Sequence, residues 1–568
     1  MHSRDANTAF ANALVDEWAR GGVSTAVVAP GSRSTPLALA LARDPRIDVH
    51  VVLDERSAAF CALGIGKRSD RPAVLLCTSG TAAVNFHPAV VEAHHANVPM
   101  LVCTADRPPE LRDVGAPQTI DQARLYGAAV RWFHDPGPPD DTPGAAARWR
   151  TLACRALAHA CGGRPGPVHL NLPFREPLTP TGEPLVDARG RDDGRPWTTT
   201  VARDAFDAAA AEHLATLIAG VERGVLVAGF GAAVGAPALA RFSAATGWPV
   251  IADAISNARL GPDVIVSYEA LLRAPAFAEA HRPDIALRVG APLTSKIANA
   301  WLAGVPTILV DEHEVWLDPD HAARDRIVAA PAPLLDAAAN LVHAPDAGWR
   351  ASWLRAERAA RDAIDTVLDG DDEPCEARVA RDIAASVPDG THLVVASSLP
   401  VRALEWCMAP RDGVTVHANR GANGIDGFVS TAVGIAIAGG PETATVAILG
   451  DLCFLHDTNG LLVAHGRDDV NVTFVVVDNR GGGIFSYLPQ HELPEFETLF
   501  ATPQDVDLAA VAVAHGVPAE RVANASDLPA ALKDAIAVGG VRVIVVPIDR
   551  DRSAGRHRAL WDAVEARL

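Results

Sequence analysis

The chain predicts an α/β fold of three domains in series, each a mostly parallel sheet flanked by helices, and three observations point that way. Short apolar runs of strand length alternate with helical patterns and glycine turns along most of the sequence, which is the rhythm of βαβ units. A stretch rich in proline, glycine and charge, without periodicity, interrupts that rhythm at 179–200, TPTGEPLVDARGRDDGRPWTTT. The 568 residues also exceed what one hydrophobic core accommodates, at roughly 100–200 residues per domain.

Taken in order, the chain starts with Phe10, Leu14, Val15 and Trp18 on one helical stripe. It lacks the charged-then-apolar pattern of an export signal, so a cytoplasmic location is expected. Strands are expected at 25–29, 49–53, 73–77 and 100–104, then the 179–200 linker, with a second domain starting near Val201. That domain carries buried-strand runs at 224–228, 249–252, 285–289 and 307–310 between alanine-rich helical segments. A charged amphipathic helix over 348–368 leads through 369–374 to strands at 393–396, 443–449 and 472–477. The expected domains are therefore 1–180, 201–345 and 375–568. No short repeat is visible, although the first and third domains could share a fold that one sequence does not display.

Composition narrows the partners. Fifty basic against 69 acidic residues give a net charge of −19, which repels nucleic acid and anionic lipid, so neither is an expected partner. The most apolar stretch, 431–450, is broken by Gly439, Gly440, Pro441 and Glu442 and is no membrane span. Eight scattered cysteines, none in a C-x-x-C pair, read as reduced residues of a cytoplasmic protein.

The most chemically loaded region lies where two expected strands end. The first runs into Gly450-Asp451-Leu452, and the second, about thirty residues on, into Asp478-Asn479-Arg480-Gly481-Gly482-Gly483. Mg²⁺ takes oxygen ligands and is often completed by phosphates, and Asp451, Asn479 and the Gly481 carbonyl form a plausible set. Glycines let backbone amides approach a diphosphate at the carboxyl ends of parallel strands. By spacing alone, these turns fit either a phosphate-and-metal site or ordinary strand ends. A second glycine motif, Gly229-Phe230-Gly231-Ala232-Ala233-Val234-Gly235, has dinucleotide-binding spacing. The acid expected about 20 residues on falls near Asp253, in a different segment, so a tight strand-to-helix turn is the preferred reading.

Joined together, several strings resemble one family. They are Pro30-Gly31-Ser32-Arg33-Ser34-Thr35-Pro36-Leu37, Asp54-Glu55-Arg56-Ser57-Ala58, Thr78-Ser79-Gly80-Thr81-Ala82, Thr104-Ala105-Asp106-Arg107-Pro108 and Gly115-Ala116-Pro117-Gln118-Thr119-Ile120-Asp121. The C-terminal half adds Ser398-Leu399-Pro400-Val401-Arg402, Asn419-Arg420-Gly421-Ala422-Asn423-Gly424-Ile425-Asp426-Gly427, the Gly450-Asp451-Leu452 turn and Ile484-Phe485-Ser486. These strings resemble the 2-succinyl-5-enolpyruvyl-6-hydroxy-3-cyclohexene-1-carboxylate synthases of menaquinone biosynthesis, which are thiamine-diphosphate enzymes.

The resemblance implies a thiamine-diphosphate-binding fold, with a pyrimidine-binding first domain and a diphosphate-binding third domain. It implies thiamine diphosphate and Mg²⁺ as cofactors, with Mn²⁺ able to substitute, and 2-oxoglutarate and isochorismate as substrates. Glu55 matches the glutamate that hydrogen-bonds the aminopyrimidine and promotes loss of the thiazolium proton. Ser32, Arg33, Arg107, Gln118, Ser398, Arg402 and Arg420 match substrate-binding positions, a guanidinium fork being suited to carboxylates. Asn423, Ile425, Gly450, Asp451, Leu452, Ile484 and Phe485 match cofactor contacts, Ile425 as the wedge under the bent cofactor, and Asp451, Asn479 and Gly481 match the metal set. Asn423 stands where some relatives carry serine, and Asp478 where others carry asparagine. The family binds its cofactor between two subunits, so a homodimer or homotetramer is expected. The rivals are another thiamine-dependent carboligase or decarboxylase, which needs no arginine clamp for an uncharged acceptor, and a non-catalytic relative.

Overall fold

The computed structural model describes residues 5–183, 185, 187–201, 207–343, 348–464, 466–467 and 469–568. Its described strands form three six-stranded sheets, parallel throughout. The first contains Thr25–Val28 (β1), Asp48–Val51 (β2), Ala73–Cys77 (β3), Met100–Asp106 (β4), Trp132–His134 (β5) and Pro167–Pro173 (β6), ordered β2-β1-β3-β4-β6-β5. The second contains Gly224–Ala228 (β7), Val250–Ala252 (β8), Val264–Ile265 (β9), Ile285–Val289 (β10), Thr307–Val310 (β11) and Ala323–Ile327 (β12), ordered β12-β11-β10-β7-β8-β9. The third contains His392–Val395 (β13), Thr415–His417 (β14), Thr445–Gly450 (β15), Asn471–Asp478 (β16), Ala519–Arg521 (β17) and Gly540–Pro547 (β18), ordered β14-β13-β15-β16-β18-β17.

The first and third sheets have the same strand order, a kinship with no trace as a short sequence repeat. The central sheet is wound in the order of dinucleotide-binding folds. Asp253 directly follows β8, the position a ribose-binding acid takes in that fold, so its placement differs from the expectation of a separate segment. Its carboxylate is nevertheless buried and accepts from the amides of Ile255 at 3.1 Å and Thr294 at 2.5 Å. A Cβ at Gly229 would run into the Ala291 carbonyl, so close packing of two turns accounts for that glycine.

Most expected strands appear within a residue or two of their places. The 49–53 run stops at Val51, because Leu53 is 72% exposed and Asp54 caps the next helix through the amides of Arg56 and Ser57. Strands β5, β9, β14 and β17 are two or three residues long, and β6 carries buried His169 and Asn171, which breaks the apolar signal. The N-terminal stripe is buried in the helix Ala6–Arg20, and the expected 348–368 helix is Gly348–Asp369.

The 179–200 linker has no helix or strand among its described residues, Pro184 and Val186 lying outside them, but it does not trail in solvent. Arg20 donates to the carbonyls of Arg191 and Arg195 at 2.9 and 3.2 Å, and Arg150 holds Ala188 at 2.8 Å, docking it on the first domain. The residues following Val201 and the expected central-domain end at 344–345 lie outside the described residues. The helix Gly348–Asp369 packs with the C-terminal helix Arg550–Glu565 over a core that includes Leu271, Trp353, Leu560 and Val564, so the second and third sheets share buried surface. No helix among the described residues is long and apolar enough to cross a membrane. All eight cysteines are unpaired and six of them are buried.

The seam between the first and third sheets is the crossing of the helices Glu55–Ser69 and Phe428–Gly439. Every residue from Ser57 to Gly66 on the first helix and from Phe428 to Ala436 on the second is buried. At the crossing the backbones touch. A Cβ at Gly64 would collide with the Thr431 carbonyl, one at Gly434 with the Cys61 carbonyl, and one at Gly427 with the Phe60 ring. Overpacking of this kind costs typically about 1–3 kcal/mol. Gly434→Ala is therefore expected to lower the melting temperature of the cofactor-free protein by several degrees. An unchanged melting curve would contradict the backbone contact.

Candidate active site

At the carboxyl ends of the first sheet, a cavity of about 320 Å³ is lined by Ser32, Arg33, Glu55, Arg107 and Gln118, together with Thr78, Thr81 and Asn85. Glu55 is the first residue of its helix. Its neighbours fix that helix start: Asn459 donates to Asp54 at 2.8 Å, and Arg56 donates to the His456 carbonyl at 2.9 Å, both reaching the third domain. Arg107 follows the buried Asp106, whose carboxylate accepts the Arg107 amide at 2.7 Å. Its guanidinium contacts the Ser79 hydroxyl and the Gln118 carbonyl, the latter at 3.1 Å. Gly80, at φ +82°, admits this meeting, since a side chain there would strike Gln118. Arg33 donates to the Phe174 carbonyl at 3.0 Å and pairs with Glu176 at 3.2 Å, while its buried Nε has no protein partner. Burial, then the charge of Arg33, pushes the Arg107 guanidinium below the usual arginine range.

The two glycine-bearing turns of the third sheet meet because β15 and β16 are adjacent, Gly450 pairing with Val477. Gly450 ends β15 and caps the helix Asp451–His456, which places Asp451 and Leu452 in its first turn. The Gly481 amide donates to Asp451 Oδ2 at 2.6 Å, closing one turn on the other. Each glycine of Gly481-Gly482-Gly483 is required by contact. Cβ atoms there would strike the Ala501 carbonyl, the Phe500 carbonyl and the Asn479 amide, and Gly481 also adopts φ +130°.

The residues suit a hard cation. Burial, with the charge of Asp478 adding to it, pushes the Asp451 carboxyl up to about 6. Asn479 Oδ1 is buried with no protein partner. Among the described residues no three His, Cys, Asp or Glu side chains gather as a metal cluster. The expected set has one acid, one amide and one carbonyl, which suits Mg²⁺ completed by phosphate and water.

Arg402 and Ile484 line a larger cavity of about 650 Å³ with Glu269, Lys296 and Trp406. Arg402 donates to the Ser398 carbonyl at 2.7 Å, and Ser398 holds φ +74° at the start of the helix Leu399–Cys407. Burial, then the nearby charge of Arg420, pushes the Arg402 guanidinium below its usual range. Asn423 donates to the Asp426 carbonyl at 2.8 Å, its own Oδ1 buried and unpartnered, and Ile425 packs on the core behind it. Phe485 packs against Phe500 at a ring separation of 5.6 Å. The two cavities share no lining residue, so Glu55 and Arg402 line separate cavities of one chain.

Sequence reasoning missed two residues that matter here. Lys296 opens the helix Lys296–Leu302 and brings the central domain into the larger cavity. A signal was available: it is one of only three lysines among 50 basic residues. Glu92, fully buried, accepts the amides of Gly421, Ala422 and Asn423 at 3.0, 2.7 and 3.0 Å, and so holds the loop bearing Arg420 and Asn423. Burial alone would raise its carboxyl, but Lys67, 3.6 Å away, and the three amides outweigh it and hold it below the usual range. Nothing local in the sequence around Glu92 signals that long-range contact.

Comparison with known proteins fits this architecture. Residues 8–125 match the N-terminal TPP-binding domain of thiamine pyrophosphate enzymes, 190–395 the middle domain, and 406–546 the C-terminal TPP-binding domain. A benzoylformate decarboxylase from Polynucleobacter necessarius has the same fold, with a TM-score of 0.72 at 18% identity, covering 95% of this chain and 98% of that one. Fold and matched domains thus define a thiamine-pyrophosphate-dependent enzyme. Proteins named 2-succinyl-5-enolpyruvyl-6-hydroxy-3-cyclohexene-1-carboxylate synthase are 48% identical in Thermobifida fusca, covering 99% of both chains, and 40% identical in Myxococcus xanthus, covering 99% of this chain and 98% of that one. The chain belongs to this synthase family.

The crowding around Gly481 generates a prediction. Gly481→Ala combines a positive-φ strain of about 1–3 kcal/mol with a backbone clash, so thiamine diphosphate affinity in the presence of Mg²⁺ should fall by about tenfold or more. Calorimetric titration of the variant measures it, and wild-type affinity would refute the packing argument.

Proposed function

We propose that the chain decarboxylates 2-oxoglutarate with thiamine diphosphate and Mg²⁺ and transfers the succinyl unit to isochorismate by conjugate addition, a step of menaquinone biosynthesis. The observation that carries this reading is the pairing of cations. Arg33 and Arg107 share the cavity with Glu55, while Arg402 and Arg420 lie close enough to repel, with Lys296 lining the cavity of Arg402. Like charges gathered in partly buried cavities of a protein of net charge −19 are stabilised by anions, and each substrate carries two carboxylates. The name of the relatives supports the chemistry: it describes a succinyl group beside the carboxylate-bearing ring carbon, where conjugate addition puts it.

Thiamine diphosphate, when bound, would supply a nucleophilic thiazolium carbon for the keto carbon and a cationic ring that delocalises the electron pair left by CO₂. The chain's own residues bind and orient. Glu55 would hold the proton exchanged at the aminopyrimidine ring. Ser32, Arg33, Arg107, Gln118 and Arg420 would receive isochorismate, and Arg402 with Ser398 the distal carboxylate of the succinyl unit, Lys296 adding a charge from the central domain. Asp451, Asn479 and the Gly481 carbonyl would hold the Mg²⁺. Gly450, Leu452, Asn423, Ile425, Ile484 and Phe485 would shape the cofactor pocket.

Two copies of the chain would complete the site, since the cavity of Glu55 and that of Arg402 share no lining residue in one chain. Exposed Val51, Leu53, Val84 and Leu462, at 65, 72, 43 and 43%, support burial of that surface against a partner subunit. The limits 1–180, 201–345 and 375–568 serve as the pyrimidine-binding, central and diphosphate-binding domains of this reading. Unpaired cysteines support a cytoplasmic setting.

The protein supplied with thiamine diphosphate, Mg²⁺, 2-oxoglutarate and isochorismate should consume isochorismate with stoichiometric CO₂ release. Equal turnover with pyruvate would sink the substrate claim. Glu55→Gln should keep cofactor binding and lose nearly all turnover, and wild-type rates would refute its role. For Arg402→Ala, the KM for 2-oxoglutarate should rise more than that for isochorismate, and the opposite ranking would overturn the assignment.

A further inference from the structure

Behind the Asp451 turn lies a carboxylate that the reaction does not use. Glu376, the first residue of the helix Glu376–Ser386, is 4% exposed. One oxygen, Oε1, accepts from Asn479 Nδ2 at 2.9 Å, and the other contacts the Ser553 hydroxyl on the C-terminal helix. Asn479 is itself 6% exposed, and its Oδ1 has no protein partner.

The arrangement decides which way the amide faces. Oε1 of Glu376 is the acceptor from Nδ2, so the edge of Asn479 turned to Glu376 is the NH₂ edge, and the carbonyl oxygen faces away from Glu376. Gly483 completes the clamp, because a Cβ there would overlap Asn479 Nδ2. The NH₂ group is thus held between a fixed acceptor and a residue without a side chain. Left alone, an asparagine at a strand end can turn over and present either atom.

We infer that Glu376 is a positioning residue for the divalent cation, orienting Asn479 so that its oxygen, not its nitrogen, is available to the metal. The inference rests on the reading of Asp451 and Asn479 as metal ligands. Groups behind a metal's direct ligands that hold those ligands in place typically govern affinity by about 10–100-fold. Glu376 reaches the strand end from a different helix and is tied there by Ser553, so the cation's site depends on the docking of the C-terminal helix Arg550–Glu565.

The test is Mn²⁺ binding to the full chain with saturating thiamine diphosphate, followed by electron paramagnetic resonance titration of free Mn²⁺. Glu376→Met fills the same volume without an acceptor and should raise the Kd for Mn²⁺ about tenfold or more. Glu376→Gln keeps a carbonyl that can accept from Asn479 and should restore affinity to within about threefold of wild type. Thermal unfolding of each cofactor-free variant checks that the fold persists. If Glu376→Met binds Mn²⁺ as wild type does while Asn479→Ala does not, the positioning role is overturned and the ligand reading survives. If Asn479→Ala binds as wild type does, the ligand reading itself fails. Should the methionine variant not fold, Glu376→Gln still decides, because a tenfold loss in a folded glutamine variant contradicts an acceptor role.

Discussion

Two helices cross where the first and third domains meet, and their backbones come into contact because Gly64 and Gly434 have no side chains to keep them apart. The helix Glu55–Ser69 begins with Glu55, and the helix Phe428–Gly439 is entered through the loop carrying Arg420, Asn423 and Ile425. Fixing the crossing therefore fixes both starting points. The close approach is reinforced by polar groups at its margins. Asp457 accepts the Ser430 amide at 2.8 Å, and Lys67 donates to the Ala418 carbonyl at 2.9 Å. Phe230 of the central domain lies 5.7 Å from the Lys67 ammonium, so one lysine touches all three domains.

Charge is managed differently in the frame and in the cavities. In the frame, two buried ion pairs bridge domains: Glu92 with Lys67, supported by three amides, and Arg259 with Glu405 at 2.9 Å between the central and third domains. An unpaired buried charge would be costly, and these pairs tie one domain to the next. In the cavities the opposite holds. Arg33 stands near Arg107, and Arg402 near Arg420, close enough that each pair repels. At the Asp451 turn the imbalance has the other sign, with a buried acid and an orphaned amide oxygen. These like-charge pairs and this buried acid sit where the proposed substrates and cation would supply counter-charge.

Much of this was legible in the sequence, for reasons tied to particular residues. β3, β7, β10 and β11 fall within their apolar runs because buried parallel strands need continuous hydrophobic stretches. Gly450-Asp451-Leu452 and the Asn479–Gly483 run announced a strand-end site because glycine is the residue that tolerates such crowding. Glu55 and the arginines were legible only through their motifs, since an acid or arginine taken singly looks like a solvated surface charge. Lys296, Glu92 and Glu376 escaped, because each acts on residues distant in the chain, Glu376 on Asn479 across 103 positions.

The sequence by itself determined the class of fold, the family, and the residue types available for chemistry, because strand periodicity, glycine turns and motif strings are local properties. Only the tertiary structure decided that the first and third sheets have one strand order, that Gly229 packs against a neighbouring turn, and that Asp253 is buried and satisfied. It alone separated the cavity of Glu55 from that of Arg402 within a chain. Those outcomes depend on which backbone atoms approach which others across the folded chain, and such distances are set by packing, which no short window of sequence contains.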